Sequence, residues 1–289
     1  MDAPDPRLGC SSITFRRLPL DDALRLIGEL GFAEIDLGAL PGVCDHVPML
    51  LDRDAIRFVA AQVNVSSLTV RSVNADVGDL NEPLDSAGQA ARDRHVEALI
   101  ELACEIGSGA IVLPCGRLNF NPIVDEESDL DLVARQLHRA ADAVRGAGIE
   151  LWVEALHSLR FCHDARRAVA LAGRLEREQV GIVYDVSHVV AAQDSVRGYL
   201  EELGDRVVHV HLRDAVPGDI HLSICAGDVD FADLIAALAE KNYAGHYSLE
   251  LETRDVKESD RPVATGRASD YISNLLKAHV ATRSVAQGV

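Results

Sequence analysis

The sequence predicts a single-domain α/β fold, the (β/α)8 TIM barrel, and three observations predict it. Eight short apolar runs alternate with eight amphipathic segments of helical length, the pattern of repeated strand and helix units around a parallel sheet. The length of 289 residues is near the roughly 250, plus insertions, that such a barrel needs. No GxGxxG follows the first run and no phosphate-binding P-loop occurs anywhere, which disfavours the main rival, an open doubly wound sheet. No linker, low-complexity tract or long block of like charge divides the chain, so residues 1–289 are expected to form one domain.

Taken in order, the first strand is expected at Leu8–Ile13, followed by a helix over Asp21–Leu30 that opens on acidic residues and stops at Gly31. A strand at Ala33–Leu37 leads to a helix at Asp52–Gln62, and a β-branched run at Val65–Val73 to a helix at Ala87–Ile106 that ends beside Gly107. The strand Ala110–Leu113 precedes a helix at Asp129–Arg145, closed by Gly146, and the strand Ile149–Glu154 precedes Ala165–Leu175. Val180–Asp185 leads to Ser195–Leu203 and Gly204, Val207–Leu212 to Phe231–Glu240, and Tyr247–Leu251 to Ala264–Ala278. The four glycines read as left-handed helix stops. The strands are almost continuously apolar, as strands covered on both faces must be. Two stretches, Gly38–Leu51 and Asn74–Ser86, are longer than a barrel loop requires and are expected to frame a pocket at the strand C-termini.

Composition narrows the function. A net charge of -18 and a pI near 4.9 disfavour nucleic acid as a partner, because such affinity comes largely from Lys and Arg. Six cysteines scattered without a CxxC pair read as reduced thiols. The segment Met1–Arg7 has neither the basic start nor the apolar run of a signal peptide, and no stretch of eighteen apolar residues follows, so a cytoplasmic protein without a membrane partner is expected.

The residues that could carry chemistry stand where strands five to eight end: Glu154, Asp185, His211 and Glu250. Three carboxylates and an imidazole at one end of one barrel suit a divalent ion such as Mn2+, Mg2+ or Co2+. Any one acidic residue after a strand could equally cap the next helix; four in succession point to a shared site. Alternation puts His209 on the face of His211, and Glu252 on that of Glu250, so either member of each pair could serve. His157 and His188 each follow an acidic strand end by three residues, placing both where a substrate hydroxyl could be met. Asp219 and His221 read either as part of a second shell or further metal site, or as a polar surface loop.

The runs Tyr184-Asp185-Val186-Ser187-His188, Val208-His209-Val210-His211-Leu212-Arg213-Asp214, Gly227-Asp228-Val229-Asp230-Phe231 and Ser248-Leu249-Glu250-Leu251-Glu252 resemble the xylose-isomerase-like superfamily of sugar isomerases and epimerases, over nearly the whole chain. Its relatives include D-tagatose 3-epimerase, hydroxypyruvate isomerase, inosose dehydratase and endonuclease IV. The resemblance implies one divalent metal on Glu154, Asp185, His211 and Glu250, with the two glutamates also acting as acid and base. It further implies a substrate contact from His188, to which the repeated spacing adds His157 and the family's usual Lys position adds Arg213 as expected contacts, a small carbohydrate or hydroxy-ketone substrate, and by analogy a homo-oligomer. The sequence departs from the pattern at Arg213, where Lys is common, and at Cys225-Ala226-Gly227, where Gly-x-Gly is common. Ser72-Val73-Asn74 and Pro114-Cys115-Gly116 stand where endonuclease IV has additional zinc-binding histidines, so a three-zinc site is not expected. The activity expected is isomerisation or epimerisation through an enediolate. The rivals are a dehydratase or lyase acting by β-elimination on an inosose or keto-sugar, and a barrel that binds sugar without turnover.

Overall fold

A computed structural model of the protein describes residues 3–286. Ten strands run in chain order: β1 Leu8–Ser11, β2 Glu34–Ala39, β3 Thr69–Ala75, β4 Ala110–Pro114, β5 Glu150–Glu154, β6 Val180–Asp185, β7 Val207–Leu212, β8 Asp214–Val216, β9 Asp219–Leu222 and β10 His246–Leu249. Eight of them close a parallel barrel in the order β1-β10-β7-β6-β5-β4-β3-β2, while β8 and β9 form a separate antiparallel hairpin. The helices are α1 Leu20–Glu29, α2 Arg53–Val65, α3 Ser86–Glu105, α4 Glu126–Arg145, α5 Ala165–Ala172, α6 Val186–Ala191, α7 Val196–Leu203, α8 Phe231–Glu240 and α9 Arg261–Ala286. Among the described residues no helix is long and apolar enough to cross a membrane.

All eight expected barrel strands form, and the main hydrophobic core lies between them and the helices, where Leu37, Val73, Val153, Ile182, Val210 and Leu249 are fully buried. The barrel interior holds only a small apolar cluster of Ala110, Val112, Trp152 and Val183. Above it the inward positions turn polar, with Asp36, Ser72, His209, His211 and Ser248 all buried. Such a layer is costly unless its groups satisfy one another or a ligand.

Acidic and hydroxyl caps start the helices. Asp52, Asp85, Asp125, Asp164, Ser195 and Asp230 each accept a backbone N–H of the following first turn. The stops differ from expectation: Gly31 and Gly107 adopt the left-handed conformation, whereas Gly146 and Gly204 stay right-handed. After α4 the left-handed turn is made two residues later, by Gly148. The strand expected from Val65 instead starts at Thr69, because α2 continues through Val65. Val59 and Val63 bury one helical face there while Val65 is 83% exposed, so helical periodicity outweighs the local β-branched preference. The turn is completed by Ser67 at φ 62.

The β8–β9 hairpin and the short α6 were not anticipated. Val216-Pro217-Gly218-Asp219 carries a Pro-Gly turn signal, and Gly218 takes the positive φ, 80, that the reversal needs. The hairpin packs against α6, where Ile220 and Ala215 meet Ala191.

Candidate metal centre and pocket

Register brings the four strand-end residues together. Pairing of β6 with β7 aligns Asp185 with His211, and pairing of β7 with β10 sets His211 beside Ser248, two residues before Glu250. Glu154 ends β5, opposite Val183 and two residues short of Asp185's level. One ligand-capable atom from each of Glu154, Asp185, His211 and Glu250 lies within 4.8 Å of all the others, and all four residues are buried. His209, the alternative to His211, points deeper into the barrel, onto Asp36. Glu252, the alternative to Glu250, forms an ion pair with Arg16 and lies 3.5 Å from Arg213. It belongs to the rim, as does Arg254 beside it.

Asp185 is both a cap and a member of the cluster. Its Oδ1 accepts from the Ser187 backbone N–H (2.8 Å) and hydroxyl (2.6 Å), starting α6. Its Oδ2 faces the cluster, 3.1 Å from the Arg213 guanidinium. Arg213 is only 2% exposed and also lies 3.9 Å from Glu250. A buried cation is thus inserted among the carboxylates. Asn74, at the end of β3, donates to Glu250 Oε1 at 3.2 Å.

The surroundings push the two glutamates in opposite directions. Burial, then the neighbouring charges of Asp185 and Glu250, raises the Glu154 carboxyl well above its usual range. Burial pulls Glu250 the same way, but His211 and Arg213 outweigh it and lower its pKa. Burial likewise opposes charge on His211, yet Glu250, Asp36 and Glu154 together raise the imidazole to about 10. Desolvation, with Arg213 close by, drives His188 well below its normal value; His157 falls similarly, through burial and then the nearness of His188, Arg160 and Arg213. Both are therefore neutral rings, packed at a tilt of 31° with centroids 3.8 Å apart. The Ser158 backbone N–H donates to His188 Nδ1, which leaves the proton on Nε2, 3.4 Å from Glu154 Oε1.

Whether these residues suit a divalent ion is tested by their unmet hydrogen bonds. Glu154 Oε1 and, on the cluster side of its ring, His211 Nδ1 are buried without a hydrogen-bond partner. Orphaned atoms of this kind are rare, and a ligand explains them. Three carboxylates with one imidazole match a moderately hard divalent ion. The residues fit.

Glu154 and Glu250 of the cluster line a cavity of about 280 Å3 whose walls also carry His157, His188, Arg213 and Arg160. All three expected substrate-contact residues therefore reach the same pocket. The mouth is more apolar, with Ile13, Leu40, Pro41, Val43, Leu118 and Leu159. Both long loops contribute to it, through Leu40 and Val43 in one and Ala75 and Asp76 in the other. Arg160 ties three loops together by donating to the Gly116 carbonyl (2.9 Å) and to Asp76 (2.7 Å). His221 lines the pocket and bonds the Glu252 carbonyl at 3.0 Å. Asp219 is exposed and turned back on the His221 backbone, so it is a surface residue of the hairpin.

One departure noted in the sequence, in the loop Cys225-Ala226-Gly227, acquires a geometry. Cys225 adopts φ 69, the left-handed region that glycine enters without strain. A Cβ at Gly227 would lie 2.4 Å from the Ala215 carbonyl oxygen, so that glycine is required by close backbone approach. Sequence reading missed Asp36 and Asn74. A charged residue inside Ile35-Asp36-Leu37, an apolar strand, was the available signal for the first.

The model of one protein family, described as the xylose isomerase-like TIM barrel, matches residues 24–275. An uncharacterised protein of Methanocaldococcus jannaschii is 23% identical over 256 residues, covering 85% of this chain and 84% of its own. A solved L-ribulose 3-epimerase superposes with a TM-score of 0.77 at 17% identity, over 97% of each chain. The IolI protein, solved with a binding zinc atom, superposes with a TM-score of 0.75 at 17% identity, over 93% of this chain and 99% of its own. At such identities the solved structures establish the shared fold.

Proposed function

Since the chain belongs to the xylose isomerase-like TIM-barrel family, we propose that it is a divalent-metal-dependent isomerase or epimerase of a small keto-sugar or α-hydroxy-ketone. The observation that carries the reading is the convergence of Glu154 and Glu250, with Asp185 and His211, in one buried cluster, where their surroundings push the first carboxyl up and the second down. Two like groups driven apart in this way are the arrangement that acid and base assignments require. Similarity to an L-ribulose 3-epimerase supports a carbohydrate substrate.

Glu154, Asp185, His211 and Glu250 would hold the ion. When bound, a divalent ion polarises a carbonyl and its neighbouring hydroxyl and stabilises the negative charge of an enediolate. Glu250 removes the carbon-bound proton as the ionised base. Glu154 delivers a proton from the other side, giving an epimer, or the proton returns at the adjacent carbon, giving an isomer. The Nε2–H of His188, fixed by Ser158, donates to a substrate oxygen. The neutral His157 packed against it shapes the same wall, and Arg213 adds a positive charge for substrate oxygens while its contact with Asp185 keeps it in place.

Proton NMR of a ketose panel in D2O with Mg2+ tests this directly. Loss of a carbon-bound proton signal is expected, and the product separates an epimer or aldose from a dehydrated ketone. Glu154→Gln and Glu250→Gln should each slow exchange by about 10²–10⁴-fold, the usual contribution of an acid-base group. Near-normal exchange in either folded variant refutes the assignment.

A further inference from the structure

Beneath the cluster lies a buried carboxylate with no place in the proposed chemistry. Asp36, on β2, is 1% exposed and crosses the barrel interior toward β7. Its Oδ1 accepts from the Ser72 hydroxyl at 2.7 Å. Its Oδ2 takes the His209 Nε2 contact at 2.8 Å and lies 3.7 Å from His211 Nε2, beyond hydrogen-bond length but close enough to act on that ring through its charge. The other ring nitrogen of His211, Nδ1, is 3.4 Å from Glu250 Oε2, on the cluster side. The imidazole therefore stands between a carboxylate below and the candidate ligands above.

We propose that Asp36 is a positioning residue for His211, its carboxylate holding the ring proton at Nε2 so that the Nδ1 lone pair is presented to the metal. The inference rests on the metal-site reading. A neutral imidazole has one lone pair and one N–H, and the hydrogen-bond partner of one nitrogen decides which of them a ligand meets. With the proton at Nδ1, an N–H would point at the cation while the Nε2 lone pair faced the Asp36 charge, two repulsions at once. With the proton at Nε2, both become attractions. Ser72 anchors the far oxygen, so the carboxylate cannot turn away. His209, stacked against Trp152 with centroids 5.4 Å apart, fills the remaining approach to the near one.

Zinc binding to the metal-stripped protein, measured by calorimetry, tests the proposal. Wild type is expected to bind one zinc, and folded Asp36→Asn to bind it about 10–100-fold more weakly, the usual effect of removing such a partner. His209→Gln, which removes the contact of Asp36 with the layer but leaves His211 facing Asp36, should bind within about twofold of wild type. Imidazole 15N NMR of the zinc-loaded wild type, which needs no variant, should show a proton on His211 Nε2 and a metal-shifted Nδ1. Equal affinity in Asp36→Asn, or a proton on Nδ1, overturns the positioning role while leaving the metal site intact. A second zinc per chain that is lost in Asp36→Asn overturns it in favour of an ion on Asp36 itself. Failure of wild type to bind zinc overturns both the inference and the reading beneath it.

Discussion

Replacing Asp185 by asparagine separates the two tasks of its carboxylate. Oδ1 is committed to Ser187 and the start of α6, and an asparagine carbonyl can take over that cap at little cost, since Asn and Asp are nearly equal there. The amide nitrogen then replaces Oδ2 and turns a donor toward the cluster and Arg213. A unit charge about 4 Å from a divalent ion is worth roughly 8 kcal/mol at an effective permittivity near 20. Losing even a third of that weakens binding about 100-fold.

At a metal concentration about 100 times the wild-type Kd, binding stabilises the native state by about 2.7 kcal/mol; a variant bound 100-fold more weakly gains only about 0.4 kcal/mol. At roughly 2–4 °C per kcal/mol for a domain of this size, the metal-induced rise in Tm should fall from about 5–10 °C to about 1–2 °C. Differential scanning calorimetry with and without Mn2+ reads both numbers, and the metal-free melt reads the cap. An undiminished metal-induced rise in Asp185→Asn would mean that Asp185 is a cap alone and would remove the proposed centre.

Other outcomes follow from the same geometry. Because Glu250, Asp36 and Glu154 raise the His211 imidazole to about 10, metal must displace its proton. Affinity should therefore rise as pH rises from 6 to 8.5, by up to about tenfold per unit for each proton released, and calorimetry in buffers of different ionisation enthalpy should show at least one; a pH-independent Kd contradicts it. Arg213→Met removes a cation beside Asp185 and should tighten Mn2+ binding while lowering the Tm of the metal-free protein; weaker binding would show instead that the guanidinium organises the site. Cys225→Gly relieves a left-handed residue whose cost is roughly 1–2 kcal/mol and should raise Tm. Gly227→Ala, driving a methyl into the Ala215 carbonyl, should lower it by about 1–3 kcal/mol equivalent. Equal melts for these two neighbours would refute the reading of that loop.

The barrel was legible because its signals are local and repeated. Each β-strand is short, apolar and bounded by a helix of clear periodicity, so eight units could be counted without knowing a contact. The four strand-end residues were legible for the same reason, since barrel closure brings successive strand ends to one face. What stayed hidden depends on packing across the barrel. Asp36 gains its role only from His209 and His211, far away in sequence but in contact inside the barrel. The β8–β9 hairpin forms over α6, and its Pro-Gly signal does not reveal which flanking residues will pair. At Val65 a β-branched run imitates a strand, and only the burial of Val59 and Val63 shows it to be the end of a helix.

The cavity divides the chain in two. Glu154, Asp185, His211 and Glu250 all come after residue 150, whereas most of the apolar entrance, Ile13, Leu40, Pro41, Val43 and Leu118, comes before residue 120, with Leu159 the exception. On the proposed reading, and apart from the Asn74 contact to Glu250 and Asp36 below, the earlier half would select what enters and the later half act on it. Substitutions in 40–43 and at Leu118 would then change which molecules reach the cavity while leaving the four cluster residues in place, so a chain of this kind could acquire new substrates without first losing its chemistry.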